Sequence, residues 1–212
     1  MCLLRKLILP ALLLVVCNSY ANNIPGYPDS VEALDPRDVA ILPRYCKSTQ
    51  LFRDEFHPNQ SEIAHWYEVM GPAFHAMHHY CWALMETNRA MLLARSKRVR
   101  DFYLDSAVGN IDYVIRNSPP DFVMLPEILT KKGENLLRLD RTALGIAALQ
   151  QAIRLKADYW PPYAALSFHF QKTGNIAQAR EWLEKGLAAA PNTPALEKRL
   201  KELEGVKQKR ED

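Results

Sequence analysis

Apolar side chains recur every three or four residues along most of the chain and nowhere alternate convincingly at every second position. This pattern predicts amphipathic helices and no sheet, an all-α protein. The clearest helices are expected over residues 126–139, 141–156, 160–172 and 176–190, the third stopped by Gly174-Asn175. A capping helix is expected over 193–203, with Thr193 as N-cap and Pro194 in its first turn. Further forward, 98–117 reads as one helix, and 61–93 as helical with an interruption at Gly71-Pro72 that starts a new segment. Between Asn22 and Asn59, Pro25, Pro28, Pro36, Pro43 and Pro58 leave room only for short helical turns. Asp35-Pro36 opens one of these, through Leu42, and Ser48 to Phe56 forms another. This segment is expected to cover the end of the helical array.

Two of the helical segments repeat at a spacing of 34 residues. The second copy reads Tyr163-x2-Leu166-Ser167-x2-Phe170, then Ala179-x3-Leu183, Gly186 and Pro191. The first reads Leu129-x2-Lys132-Gly133-x2-Leu136, then Gly145-x3-Leu149, Ala152 and Ala157, with Lys132 departing from the apolar pattern. A helix pair that is apolar on two sides cannot bury both alone, so neighbouring pairs must stack. The small residue four positions before a large one lets two helices approach closely. In size and spacing these segments resemble the tetratricopeptide repeat, a helix-turn-helix unit of the same period. Ala107-x3-Ile111-x2-Val114 and Pro119 echo the second half of the unit.

The resemblance implies a short helical array of two clear repeats (126–159 and 160–193) and a degenerate first one (61–125). A lead-in (22–60) precedes them, and a capping helix with a charged tail (194–212) follows. In that family the first helices of successive repeats line a concave groove that holds a partner's peptide or helix. By helical phase the groove-facing residues are Thr130, Glu134, Leu137 and Arg138 in one copy, and Ala164, Phe168, Gln171 and Lys172 in the next. The Lys/Asn constellation with which some members clamp a C-terminal carboxylate is not reproduced.

The front of the chain bears on location. Arg5 and Lys6 precede an apolar run from Leu7 to Cys17, followed by Ser19-Tyr20-Ala21. This is the order of a secretory signal peptide over residues 1–21, cleaved after Ala21. The run is shorter than the roughly 20 apolar residues that span a bilayer. Lipoprotein processing at Cys17 is disfavoured because Val16 stands where a small residue is wanted. Without Arg5 and Lys6, 25 of the 27 basic residues remain against 24 acidic ones. A near-neutral mature chain has no general attraction to nucleic acid or membrane surfaces. Cleavage would also remove Cys2 and Cys17, leaving Cys46 and Cys81 as an even pair in an oxidising compartment. A bridge between them would contribute about 3–4 kcal/mol by closing the intervening loop; two separate buried thiols are the other arrangement.

The sharpest chemical cluster is Phe74-His75-Ala76-Met77-His78-His79-Tyr80-Cys81-Trp82. On a continuous helix His75, His78 and His79 share a face at a spacing that suits a divalent metal ion, with His57 and His65 as further ligands. Partner contact and simple packing among the aromatic rings are the competing readings, and no His-Glu-x-x-His occurs. Gly-x-Ser-x-Gly and glycine-rich phosphate loops are missing, so no catalytic residue and no cofactor are expected. The expected role is that of an exported, periplasmic or secreted scaffold that binds another envelope protein and is not an enzyme. The alternative is a metal-binding or catalytic accessory protein using the three histidines.

Overall fold

Asp35 caps the helix α1 (Pro36–Ala40) by accepting the Arg37 backbone N–H at 2.8 Å, with Pro36 in the first turn, as the Asp-Pro pair predicts. The computed structural model describes residues 34–211, with side chains through residue 205. The expected signal peptide, the Cys17 alternative and the lead-in before residue 34 lie outside the described residues. A 3-10 turn at Arg44–Ser48 and the short α2 (Phe52–Phe56) follow. The helix expected from Ser48 therefore starts later, because Leu51 stands at φ 70° and breaks the path just ahead of it.

Asn59 caps α3 (Gln60–Met70), which ends at Gly71 with φ 61° and ψ −155°, a conformation that a side chain disfavours. The chain then passes through the 3-10 turn Gly71–Ala76 into α4 (Met77–Leu92), so the interruption expected at Gly71-Pro72 is present. Next come α5 (Lys97–Arg116), capped by Ser96, then α6 (Leu125–Arg138) and α7 (Thr142–Leu155). The last helices are α8 (Pro161–Lys172), α9 (Ile176–Ala189) and α10 (Pro194–Glu211). Gly174, at φ 83°, turns the chain after α8, as expected. Thr193 does not cap α10 with its side chain: its hydroxyl instead donates to the Ala190 carbonyl at 2.7 Å, while its own carbonyl starts the helix ladder. Among the described residues all regular structure is helical and no strand occurs. No helix among them is long and apolar enough to cross a membrane.

Sequential helices pair as hairpins, α4 with α5, α6 with α7 and α8 with α9, and each hairpin packs on the next through α5–α6, α7–α8 and α9–α10. Both ends of α9 lie 34 residues after the corresponding ends of α7. Glycine allows a close crossing of α6 and α7. A Cβ on Gly133 would fall 2.6 Å from Leu149 Cγ and 2.9 Å from the Gly145 carbonyl oxygen. In return, a Cβ on Gly145 would fall 2.7 Å from Leu137 Cγ and 3.0 Å from the Gly133 carbonyl oxygen. The small positions read from the sequence thus bring the backbones of α6 and α7 into contact. Ala179 and Leu183 are fully buried in the cluster that α8, α9 and α10 enclose.

The N-terminal segment packs on the other end of the array. Val39, Tyr45, Cys46 and Phe52 share one core with Met77, Tyr80 and Cys81 of α4 and Ile111 of α5. Two covalent or ionic ties fix that arrangement. Cys46 and Cys81 form a disulfide, with Cα atoms 5.7 Å apart. Arg89 of α4 donates through Nε and Nη2 to Asp38 Oδ2 of α1 at 2.8 and 2.7 Å, with both side chains buried. Burial pushes the Asp38 carboxyl upward, against the hydrogen bonds and charge of Arg89.

Candidate functional site

The first helices of the last two hairpins, α6 and α8, lie side by side, and α10, packed on α9, reaches the same face with Arg199. Their common face forms an open cavity of about 680 Å³. Its lining includes Glu134, Leu137, Arg138, Ala164, Phe168 and Lys172. Six of the eight residues expected to face a groove are therefore brought together. Ala164 lies at its floor, itself buried. Thr130 and Gln171 do not line it. Thr130 is buried and turns its hydroxyl back to the Pro126 carbonyl at 2.7 Å. At that end of α6 the neighbouring face belongs to α4, whose Tyr80 hydroxyl donates to Glu127 Oε1 at 3.0 Å. Lys131, one position on, occupies the wall instead.

The cavity also takes in Trp160, His169 and Arg199, which the sequence reading missed. Arg199 comes from α10, a helix whose only legible role was capping, and helical phase within one repeat carries no information about a neighbouring element. Trp160, the N-cap of α8, stands four residues before Ala164 on the same helical face, so phase within the expected helix 160–172 was a signal that could have found it.

Charge is unevenly arranged around the wall. Glu134 is already engaged, by Lys131 Nζ at 3.0 Å and Arg138 Nη1 at 3.7 Å. Phe168 is half-exposed, and two cations flank its ring: Lys172 Nζ at 5.6 Å and the Arg199 guanidinium carbon at 5.9 Å from the centroid. Neither Lys172 nor Arg199 pairs with a carboxylate among the described residues. Burial holds His169 below the usual imidazole value, so it is neutral at pH 7. Such a wall offers apolar area, an accessible ring and two cations ready for carboxylates.

The histidine cluster is placed differently from the expectation of one helical face. His75 belongs to the 3-10 turn and α4 begins only at Met77, so the three histidines do not lie on one continuous α-helix. His75 is exposed and meets the Tyr67 ring, 5.4 Å between centroids. His78 Nδ1 lies 2.9 Å from the His75 carbonyl, and burial holds its pKa down, helped by the neighbouring His79. His79 stacks on Tyr113 at 3.9 Å and its Nδ1 meets Asn110 Oδ1 at 2.8 Å. Asn110 Nδ2 in turn donates to the buried Glu86, which also accepts from Ser106. Among the described residues no group of three or more His, Cys, Asp or Glu stands where it could hold a metal ion. Of these rings, His79 packs and bonds across the α4–α5 hairpin, while His75 meets α3.

No protein-family model matches the chain, and no curated protein matches it at a significant level.

Proposed function

We propose that this protein is an exported scaffold of the tetratricopeptide type, without enzymatic activity, that holds a peptide or helix of another envelope or secreted protein in the concavity of α6, α8 and α10. The observation that carries this reading is the cavity of about 680 Å³, which falls on the face formed by the first helices of successive hairpins. That volume lies within the range of roughly 300–1,000 Å³ typical of ligand sites. The 34-residue offset between α7 and α9, and the close crossing of Gly133 and Gly145, support the repeat reading. The Cys46–Cys81 disulfide supports an oxidising compartment, in line with the export signal read in residues 1–21.

The test is in-cell crosslinking of the tagged mature protein in its host, with mass-spectrometric identification, against the double variant Phe168→Ala/Arg138→Glu. Phe168 is half-exposed and the Arg138 side chain one-third exposed, so the variant should keep its helical content and melting temperature. A protein captured by the wild type and lost in the folded variant is the expected result. Capture that is indifferent to both substitutions would place binding elsewhere on the molecule.

A further inference from the structure

We infer that the concavity selects an acidic segment with an apolar anchor, in which one aromatic or long aliphatic side chain packs on Phe168 while neighbouring Asp or Glu residues pair with Lys172 and Arg199. This rests on the groove reading above and specifies the chemistry of its occupant. Three observations carry it. First, the basic residues of the wall are Lys131, Arg138, Lys172 and Arg199, and its acidic residues are Glu134 and Asp140. Second, the internal pairing is lopsided. Glu134 takes up Lys131 and Arg138, and Asp140, at the cavity edge, faces Lys97 of α5 at 3.9 Å. Lys172 and Arg199 are left with only the Phe168 ring as a partner among the described residues. Third, that ring remains half-exposed between them, with Trp160, Leu137 and Ala165 around the same space.

The physical logic follows from these positions. A ring carrying a cation on each flank is a poor place for a basic partner, because the incoming charge would meet two like charges. A neutral apolar segment would cover the ring but would leave both cations partly desolvated and unpaired. An acidic segment satisfies both demands: its apolar side chain takes the ring out of water, and its carboxylates replace the water around Lys172 Nζ and the Arg199 guanidinium, which is suited to bidentate pairing. His169, neutral at pH 7, adds no charge to the balance near neutrality.

The experiment is selection of a display library of random dodecapeptides on the oxidised, full-length mature protein, repeated on Phe168→Ala, on Lys172→Gln/Arg199→Gln and on Lys172→Glu/Arg199→Glu. Circular dichroism confirms the fold of each variant. The expected outcome is a consensus that combines acidic residues with one aromatic or aliphatic position and is lost with Phe168→Ala. A synthetic consensus peptide should bind the Gln pair about tenfold more weakly, as two exposed charge pairs would give. Its affinity should fall as salt rises, and the Glu pair should turn the selected consensus basic. A neutral or basic consensus on the wild type that still depends on Phe168 would overturn this inference and leave the groove reading standing. Peptides indifferent to Phe168→Ala, or no enrichment at all, would overturn both.

Discussion

One substitution, glycine to alanine, should have opposite signs at two helix-interior positions. Alanine is favoured over glycine there by about 0.8–1.0 kcal/mol, because glycine loses more backbone freedom on folding. Gly109 lies inside α5, exposed, with nothing within 4 Å of where a Cβ would stand. Gly109→Ala should therefore stabilise by about 1 kcal/mol. Gly133 lies inside α6, where the new methyl would meet Leu149 Cγ at 2.6 Å and the Gly145 carbonyl oxygen at 2.9 Å. A backbone oxygen cannot swing aside, so α6 and α7 must separate. Overpacking of this kind costs about 1–3 kcal/mol, which outweighs the propensity gain. Gly133→Ala should destabilise by about 1 kcal/mol net, for a total divergence of about 2 kcal/mol from Gly109→Ala. At about 2–4 °C per kcal/mol for a chain of this size, the two variants should melt roughly 4–8 °C apart. Thermal and urea unfolding of the oxidised proteins, followed by far-ultraviolet circular dichroism, measures this directly. Equal stabilisation by both substitutions would refute the backbone crossing of α6 and α7, and with it the packing that aligns α6 and α8.

Other outcomes follow from the ties at the N-terminal end and from the histidines. Asp38→Ala removes the buried carboxylate to which Arg89 donates and should cost about 3–5 kcal/mol in urea denaturation; a loss under 1 kcal/mol would refute a tie between α1 and α4 through this pair. Cys46→Ser/Cys81→Ser, or reduction of the wild type, should lower stability by about 3–4 kcal/mol, and the double variant should become insensitive to reductant. The folded-state pKa of His78 is depressed, so on acidification from pH 7 the unfolded chain takes up its proton first and stability declines until the folded-state pKa is passed. His78→Gln should flatten the fall in melting temperature between pH 7 and pH 5, and an unchanged slope would contradict the half-buried placement that depresses the pKa of that ring.

Sequence reading and structure agree where a local rule decides the outcome. The Asp35 cap, the Gly174 turn and the ends of α7 and α9 each depend on residues within a few positions, and all lie close to where the pattern put them. The disulfide was legible because compartment and even cysteine count restrict the choice, although two free thiols satisfied the same count. Disagreement arises where a tertiary neighbour decides. Thr130 shares a helical face with Glu134 yet is buried, as periodicity cannot report that α4 reaches that part of α6. Arg199 entered the cavity from a helix read in isolation. The histidines read as one helical face are divided in the structure, because His75 lies in a 3-10 turn ahead of α4 and its ring meets Tyr67 of α3.

The position of the Cys46–Cys81 bond has a mechanical consequence. Each hairpin packs mainly on the next in sequence, so a chain drawn out from its C-terminal end should yield α10 first and then one hairpin at a time, starting with α8 and α9. Tension travelling toward the N-terminus then meets a covalent stop. The loop of sequence separation 35 cannot be paid out, withholding about 120 Å of contour length at roughly 3.3–3.6 Å per residue. In a force–extension trace that missing length would reappear only under reducing conditions, so an oxidising environment would make this protein a tether of bounded reach.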